Sequence, residues 1–180
     1  EDKIVVSNVL ESGNSSSVKT SEGTQIWGSV ELDESDDSLV LEADTHLDLV
    51  GDLDMSSGSD QSVEIGARAD FSVRSIKGDD VNLSIDGTAT LGGDPDRGIF
   101  DYDDDLGETN TLSTYTGATE IKQGGVLRAG QAWSLSSKSA HQVDGTLRLG
   151  DNPERDNNGS REDQEIGDLS GSGSVVLDNE

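Results

Sequence analysis

Carboxylates are the most abundant reactive side chains: 38 Asp and Glu stand against 12 Lys and Arg, leaving a formal net charge of −26. Two kinds of chemistry use such groups. Acidic side chains at alternating positions suit Ca²⁺, a hard cation that takes oxygen ligands. Three stretches have that character: Asp94 with Asp96, Asp101 through Asp105, and Asp151 with Asp156, Asn157 and Asn158. In the second, Leu106 stands where a calcium loop needs its turn glycine, and Leu112 where it needs the closing glutamate. Solvated loops are therefore expected, and no metal is assigned. The other chemistry is sugar hydrolysis, in which two carboxyl groups about 5 to 9.5 Å apart work as acid and base or nucleophile. Asp48, Asp52 and Asp54 are candidates if they share one outer face of neighbouring β coils. Among so many carboxylates some pair arises by chance, so no catalytic residue is assigned.

Imidazoles are few, thiols are absent, and the many serines form no catalytic motif. His46 and His141 are the only imidazoles, and neither stands in an H-E-x-x-H or comparable setting, so both are expected at the surface or at strand ends. No cysteine is present, which removes disulfides, thiolate nucleophiles and cysteine-based zinc sites. The serines include no G-x-S-x-G elbow, and Gly171-Ser172-Gly173-Ser174 reads as a turn before a strand. Trp27 and Trp133 each adjoin an apolar strand and are expected to pack rather than to present a ligand platform. Lys77-Gly78-Asp79 matches an integrin-type tripeptide, a match too short to carry weight.

The charge also excludes partners. Phosphate binding needs clustered Lys and Arg, so no nucleic-acid role is expected. An anionic membrane surface would be repelled, and no apolar run approaches the ~20 residues that span a bilayer, so no direct membrane insertion is expected. The chain opens on Glu1 without a visible signal peptide and is expected to be a piece of something longer.

The elements come from a six-residue pattern: a glycine, alternating polar and apolar residues, then a turn-former. It begins at Gly28, Gly51, Gly87, Gly125, Gly145 and Gly173, and the inner apolar pairs are Val30/Leu32, Leu53/Met55, Ala89/Leu91, Leu127/Ala129, Leu147/Leu149 and Val175/Leu177. The flanking positions are polar except Val126 and Val176, so one face of each short strand is buried. Copies 20 to 38 residues apart (145 − 125 and 125 − 87) signal stacked repeats with loops of variable length. A solenoid of roughly seven to nine β coils is expected, with Val30, Leu32, Leu53, Leu91, Leu127, Leu147, Leu149, Val175 and Leu177 pointing inward. Glycines lie mainly at strand ends, where positive φ or a tight turn is expected. Strands are read at 26–32, 39–41, 47–53, 63–65, 71–76, 81–85, 89–91, 119–121, 126–129, 133–135, 143–149, 166–169 and 175–177. Polar inserts at 92–110 and 151–165 should project from the side.

The stretch Tyr115-Thr116-Gly117-Ala118-Thr119-Glu120-Ile121-Lys122-Gln123-Gly124-Gly125-Val126-Leu127-Arg128-Ala129-Gly130 resembles the passenger-associated transport repeat of Gram-negative autotransporters, also called the autotransporter-associated β-strand repeat. The Tyr-Thr-Gly start and the Gly-x-Leu-x-x-Gly close carry the likeness. Trp133 with Leu135, then Gly145-Thr146-Leu147-Arg148-Leu149-Gly150, then Leu169-Ser170-Gly171-Ser172-Gly173-Ser174-Val175-Val176-Leu177 continue it, although the acidic insert lengthens one crossing. The resemblance covers residues 111–177 and implies an all-β, right-handed parallel β-helix at the C-terminal end of a secreted passenger. Residues 1–105 would be stalk coils and 106–180 an autochaperone-like region of one continuous solenoid.

The function so implied is non-enzymatic: a stalk at the bacterial cell surface whose later half nucleates folding of the coils before it. Parallel stacks are slow to nucleate because non-local closure must precede any reward, so a stable terminal segment speeds the rest. Its partners would be the remainder of its own passenger and a C-terminal outer-membrane β-barrel, with no cofactor. The alternatives are an adhesive or self-associating surface that binds a host surface, and, further off, a carbohydrate-active β-helix enzyme.

Overall fold

The computed structural model describes residues 3–6, 10–12, 17–20, 23–93, 113–130, 134–149 and 164–177, the first three segments by their backbone only. The acidic stretches around Asp94–Asp105 and Asp151–Asn158, and Trp133, lie outside the described residues.

The period-two apolar pattern gives strands throughout, and no helix occurs among the described residues. In chain order they are β1 (Lys3–Val6), β2 (Leu10–Ser12), β3 (Ser17–Thr20), β4 (Gly23–Trp27), β5 (Val30–Leu32), β6 (Ser38–Leu41), β7 (Thr45–Met55), β8 (Gln61–Ile65) and β9 (Asp70–Gly78). They continue as β10 (Val81–Ile85), β11 (Thr88–Leu91), β12 (Gly117–Ile121), β13 (Val126–Ala129), β14 (Ser139–Val143), β15 (Thr146–Leu149), β16 (Leu169–Ser170) and β17 (Ser174–Leu177). A ten-stranded sheet runs β1-β4-β7-β9-β11-β13-β15-β17, with β2 and β5 joining beside β7, and a seven-stranded sheet runs β16-β14-β12-β10-β8-β6-β3. The strands pair in parallel throughout the described residues, from β1 against β4 to β15 against β17. From β5 to β16 the chain alternates between the sheets, so each strand lies beside one from the previous passage. Pairing also runs unbroken past residue 105, through β10 with β12 and β11 with β13.

The core is built of columns. In the larger sheet Leu47, Phe71, Ala89, Leu127 and Leu147 are in register across five strands, and none is more than 2% exposed. In the smaller sheet Leu41, Ile65, Ile85, Ile121 and Val143 are likewise in register, each at most 3% exposed. Apolar burial of this kind is worth about 25 cal/mol per Å² removed from water, and here Leu, Ile and Val supply it with few aromatic rings.

Several sequence expectations are corrected. The copies at Gly28 and Gly51 stack on each other, Val30 against Leu53, and next on Ile76 in the second half of β9. The copy at Gly87 instead pairs with the first half of β9, Ala89 against Phe71. The copies therefore form two stacks rather than one. The passage through β9 has no such glycine, because Ala69 accepts the bond from Thr88 N, the place Gly87 takes for Val126 N. The segments read as 26–32 and 143–149 each break into two strands, at Gly28–Ser29 and at Asp144–Gly145, and the last crossing forms only the two-residue β16.

Glycine at the repeated corner serves close approach. A Cβ on Gly125 would collide with the carbonyl oxygen of Ile85, and one on Gly145 with those of Gly125 and Lys122. Neither has positive φ, which is found instead at Gly78, Gly92, Gly93, Gly117, Gly124 and Gly171.

Six of the nine expected inward residues, Val30, Leu32, Leu53, Leu91, Leu127 and Leu147, are at most 1% exposed, and Leu149 is half-buried. Val175 and Leu177 differ, at 45% and 67% exposed. Their strand β17 is paired only with β15 among the described residues, so no further layer covers them. Leu169 on β16 is 49% exposed for the same reason.

Candidate functional site

On the outer face of the larger sheet, β7 and β9 bring four polar residues together. His46 is in register with Asp70 and Asp48 with Ser72. The His46 Nε2 lies 3.1 Å from Asp48 Oδ1, and its Nδ1 lies 3.7 Å from Asp70 Oδ2. Asp48 and Ser72 are 2% and 0% exposed although alternation turns both away from the core. Thus His46 sits at the start of β7, as expected of a strand-end residue, and forms a half-buried bridge between two carboxylates.

Asp52 and Asp54 follow a register shift in β7 between Leu49 and Asp52. Gly51 permits this, since a Cβ there would strike the Ser29 hydroxyl. Asp52 accepts from Ser75 Oγ at 2.7 Å and from Lys77 Nζ at 2.6 Å. Partial burial pushes its pKa up, but the bonds from Lys77 and Ser75 outweigh that and hold it below the usual carboxylate range. Asp54 caps Ser56 N at 3.0 Å. Each of the three sugar-hydrolysis candidates therefore has a structural partner. Lys77 is tied to Asp52 and Gly78 is a buried strand residue, so the Lys-Gly-Asp tripeptide is not a presented loop.

Two further polar features escaped the sequence reading. Asp36, Asp60 and Asp80 all adopt left-handed backbone, with φ of 63°, 55° and 59°, in the turns before β6, β8 and β10. Asp60 is pushed upward in pKa, first by its hydrogen bond with Asp80 and then by the charges of Asp80 and Asp36. The signal lay in the recurrence of Asp before three neighbouring strands of the smaller sheet at spacings of 24 and 20 residues (60 − 36 and 80 − 60). The other feature is inside the fold. Tyr115 is fully buried, its hydroxyl 2.9 Å from Thr119 Oγ1, which is 2.8 Å from Ser139 Oγ. Ser136 Oγ donates to the Tyr115 carbonyl at 2.6 Å. His141 is also buried, 1% exposed, contrary to its expected place at the surface or a strand end. Hydroxyl side chains fall on the inner face here because Thr119 and His141 continue the column of Leu39, Val63 and Leu83.

Among the motif residues, Tyr115, Ile121, Leu127 and Leu147 are core; Gly125 and Gly145 form corners whose carbonyls accept from Thr146 N and Ser174 N of the following strands, and Gly173 N donates to the Val143 carbonyl. Gly130 is held against the Leu91 carbonyl at 2.7 Å, while Gly117 and Gly171 take positive φ. Among the described residues no group of three or more His, Cys, Asp or Glu is placed to hold a metal ion.

No known relative was found. No family model matches the sequence, and no curated protein or solved structure is detectably similar to it.

Proposed function

We propose that the chain is a right-handed parallel β-helix from the passenger of a secreted autotransporter, a non-enzymatic stalk whose later half nucleates folding at the cell surface. The observation that carries this reading is the stacking of the repeat residues. Leu127, Leu147 and Val175 are in register on successive strands of one parallel sheet, as a coil-by-coil repeat requires. The seven parallel strands that stack in the smaller sheet among the described residues support a coil-by-coil reading. The partners bound by Asp48, Asp52 and Asp54 favour structural over hydrolytic roles for these carboxylates. A template of this kind supplies preformed edges on which preceding coils add by nearest-neighbour contacts.

The test is a core substitution in the secreted parent. Leu127→Asp places an unpaired carboxylate between Ala89 and Leu147, which a module of about 5 to 15 kcal/mol cannot absorb without losing these coils. The control is Gln142→Ser on the exposed face of β14. Arg128 and Arg148 are unsuitable controls because both are half-buried on the outer face. The expected result is loss of protease-resistant passenger with Leu127→Asp alone, partly restored by residues 106–180 supplied in trans. Equal yields from both variants would remove the folding role.

A further inference from the structure

We propose that His141 is an acid-sensitive latch inside the C-terminal end of the fold: its protonation weakens the closure of β14 to β17 and leaves the strands before β11 unaffected. This does not depend on the secretory role.

The geometry fixes the proton. The His141 Nδ1 is 2.9 Å from the Ser139 carbonyl oxygen, an acceptor only, so Nδ1 carries the hydrogen of the neutral ring. The Nε2 is then a bare acceptor, and it is buried with no hydrogen-bond partner among the described residues. A proton added there becomes a cation in the interior with no acceptor, a state that burial strongly disfavours. The surroundings offer no compensation. Thr119 of β12 flanks the residue on one side and Leu169 of β16 on the other. Beyond Thr119 lies Tyr115, the titratable group of that polar chain, which burial pushes upward in pKa so that it stays neutral. Ser134 and Ser136 come from the turn before β14 and Ser139 is its first residue, and the Ser134 hydroxyl is likewise buried without a partner among the described residues. The carboxylates nearest in sequence or register, Glu120, Asp144, Glu165 and Asp168, form no ion pair with His141 among the described residues. Glu120, Glu165 and Asp168 are exposed, while Asp144 is half-exposed and engaged with Gln142 and Ser172. Desolvation accordingly pushes the pKa of His141 down, against a smaller opposing effect of the Ser139 carbonyl. His46, the other imidazole, has a carboxylate on each side.

Position turns this penalty into a switch. The cover over His141 is the two-residue β16, tied by Asp168 O to His141 N at 2.7 Å and carrying the half-exposed Leu169. Opening these last strands is the shortest route for the ring to reach water. The sign is fixed by linkage: the folded pKa lies below the unfolded one, so the open state binds more protons, and closure weakens as pH falls through about 6.5. From pH 7.5 to 5.5 one such imidazole raises the opening constant by at most about tenfold, which is (1 + 10)/(1 + 0.1).

The experiment is amide hydrogen exchange on the full 180-residue chain at pH 7.5 and 5.5, corrected for intrinsic rates, comparing wild type, His141→Gln and His46→Gln. Protection in β14 to β17 should fall several-fold, up to about tenfold, in wild type and in His46→Gln, and stay level in His141→Gln, with β7 to β10 unchanged in all three. A response that survives in His141→Gln, or one shared equally by β7 to β10, overturns the proposal. Should His141→Gln fail to fold, NMR titration of the wild-type imidazoles decides. Protonation of His141 that coincides with loss of protection in β14 to β17 supports the latch; protonation near pH 6.5 with protection intact refutes it.

Discussion

The Tyr115 hydroxyl and Thr119 Oγ1 lie 2.9 Å apart in the interior, both side chains withdrawn from water, and Ser139 Oγ on the next strand extends the pair. The chain of hydroxyls links the loop before β12 to β12 and β14. Tyr115→Phe removes one member and leaves Thr119 bonded to Ser139, so it should destabilise by only about 1 kcal/mol. Tyr115→Ala empties the ring volume as well and should cost about 3 to 5 kcal/mol. Urea unfolding of both variants checks this; equal losses would show that the ring does not pack as described.

Column packing predicts a sharp contrast between buried and exposed positions of short strands. Leu147 lies between Leu127 and Val175, so Leu147→Ala should lower unfolding free energy by about 2 to 5 kcal/mol. Glu120→Ala, on the exposed side of β12, should stay within about 0.5 kcal/mol. Thermal unfolding of the two chains side by side reads the difference.

The corner glycines separate crowding from backbone strain. Gly124 has φ of 95° with open space where a methyl group would go, whereas Gly125 has ordinary φ and the Ile85 carbonyl in the way. Gly124→Ala should cost about 1 to 3 kcal/mol through strain alone. Gly125→Ala forces β13 away from the preceding corner and should lower the Tm further. The reverse order would refute the close-approach reading.

Asp60 gives a pH-dependent outcome. Its folded pKa is raised by Asp80 and Asp36, so the folded state takes up its proton at higher pH than the unfolded chain. The repulsion is fully present above the raised pKa and disappears as pH falls toward the ordinary carboxylate range. Asp60→Asn should therefore raise the Tm at pH 7, by less at pH 4 and by less in high salt, since the site is exposed. Asn also tolerates the left-handed backbone at this position. A gain independent of pH would point to something other than charge.

Much of this molecule was legible before folding because a strand's inward face is a local property. Alternation marked Val30/Leu32, Leu127 and Leu147 as core, and the bounds of β10 and β13 followed from their apolar runs. Stacking was not local. Whether the copy at Gly87 sits on the first or second half of β9 depends on where β7 and β9 bend and on an Ala69 corner that has no glycine to announce it. The polar sites were hidden for the same reason. His46 meets Asp70, and His141 meets Thr119, across strands that lie 24 and 22 residues apart in the chain (70 − 46 and 141 − 119). Alternation says which side of a strand a residue takes; only the register between strands, set by summed packing over the whole stack, decides what it meets there.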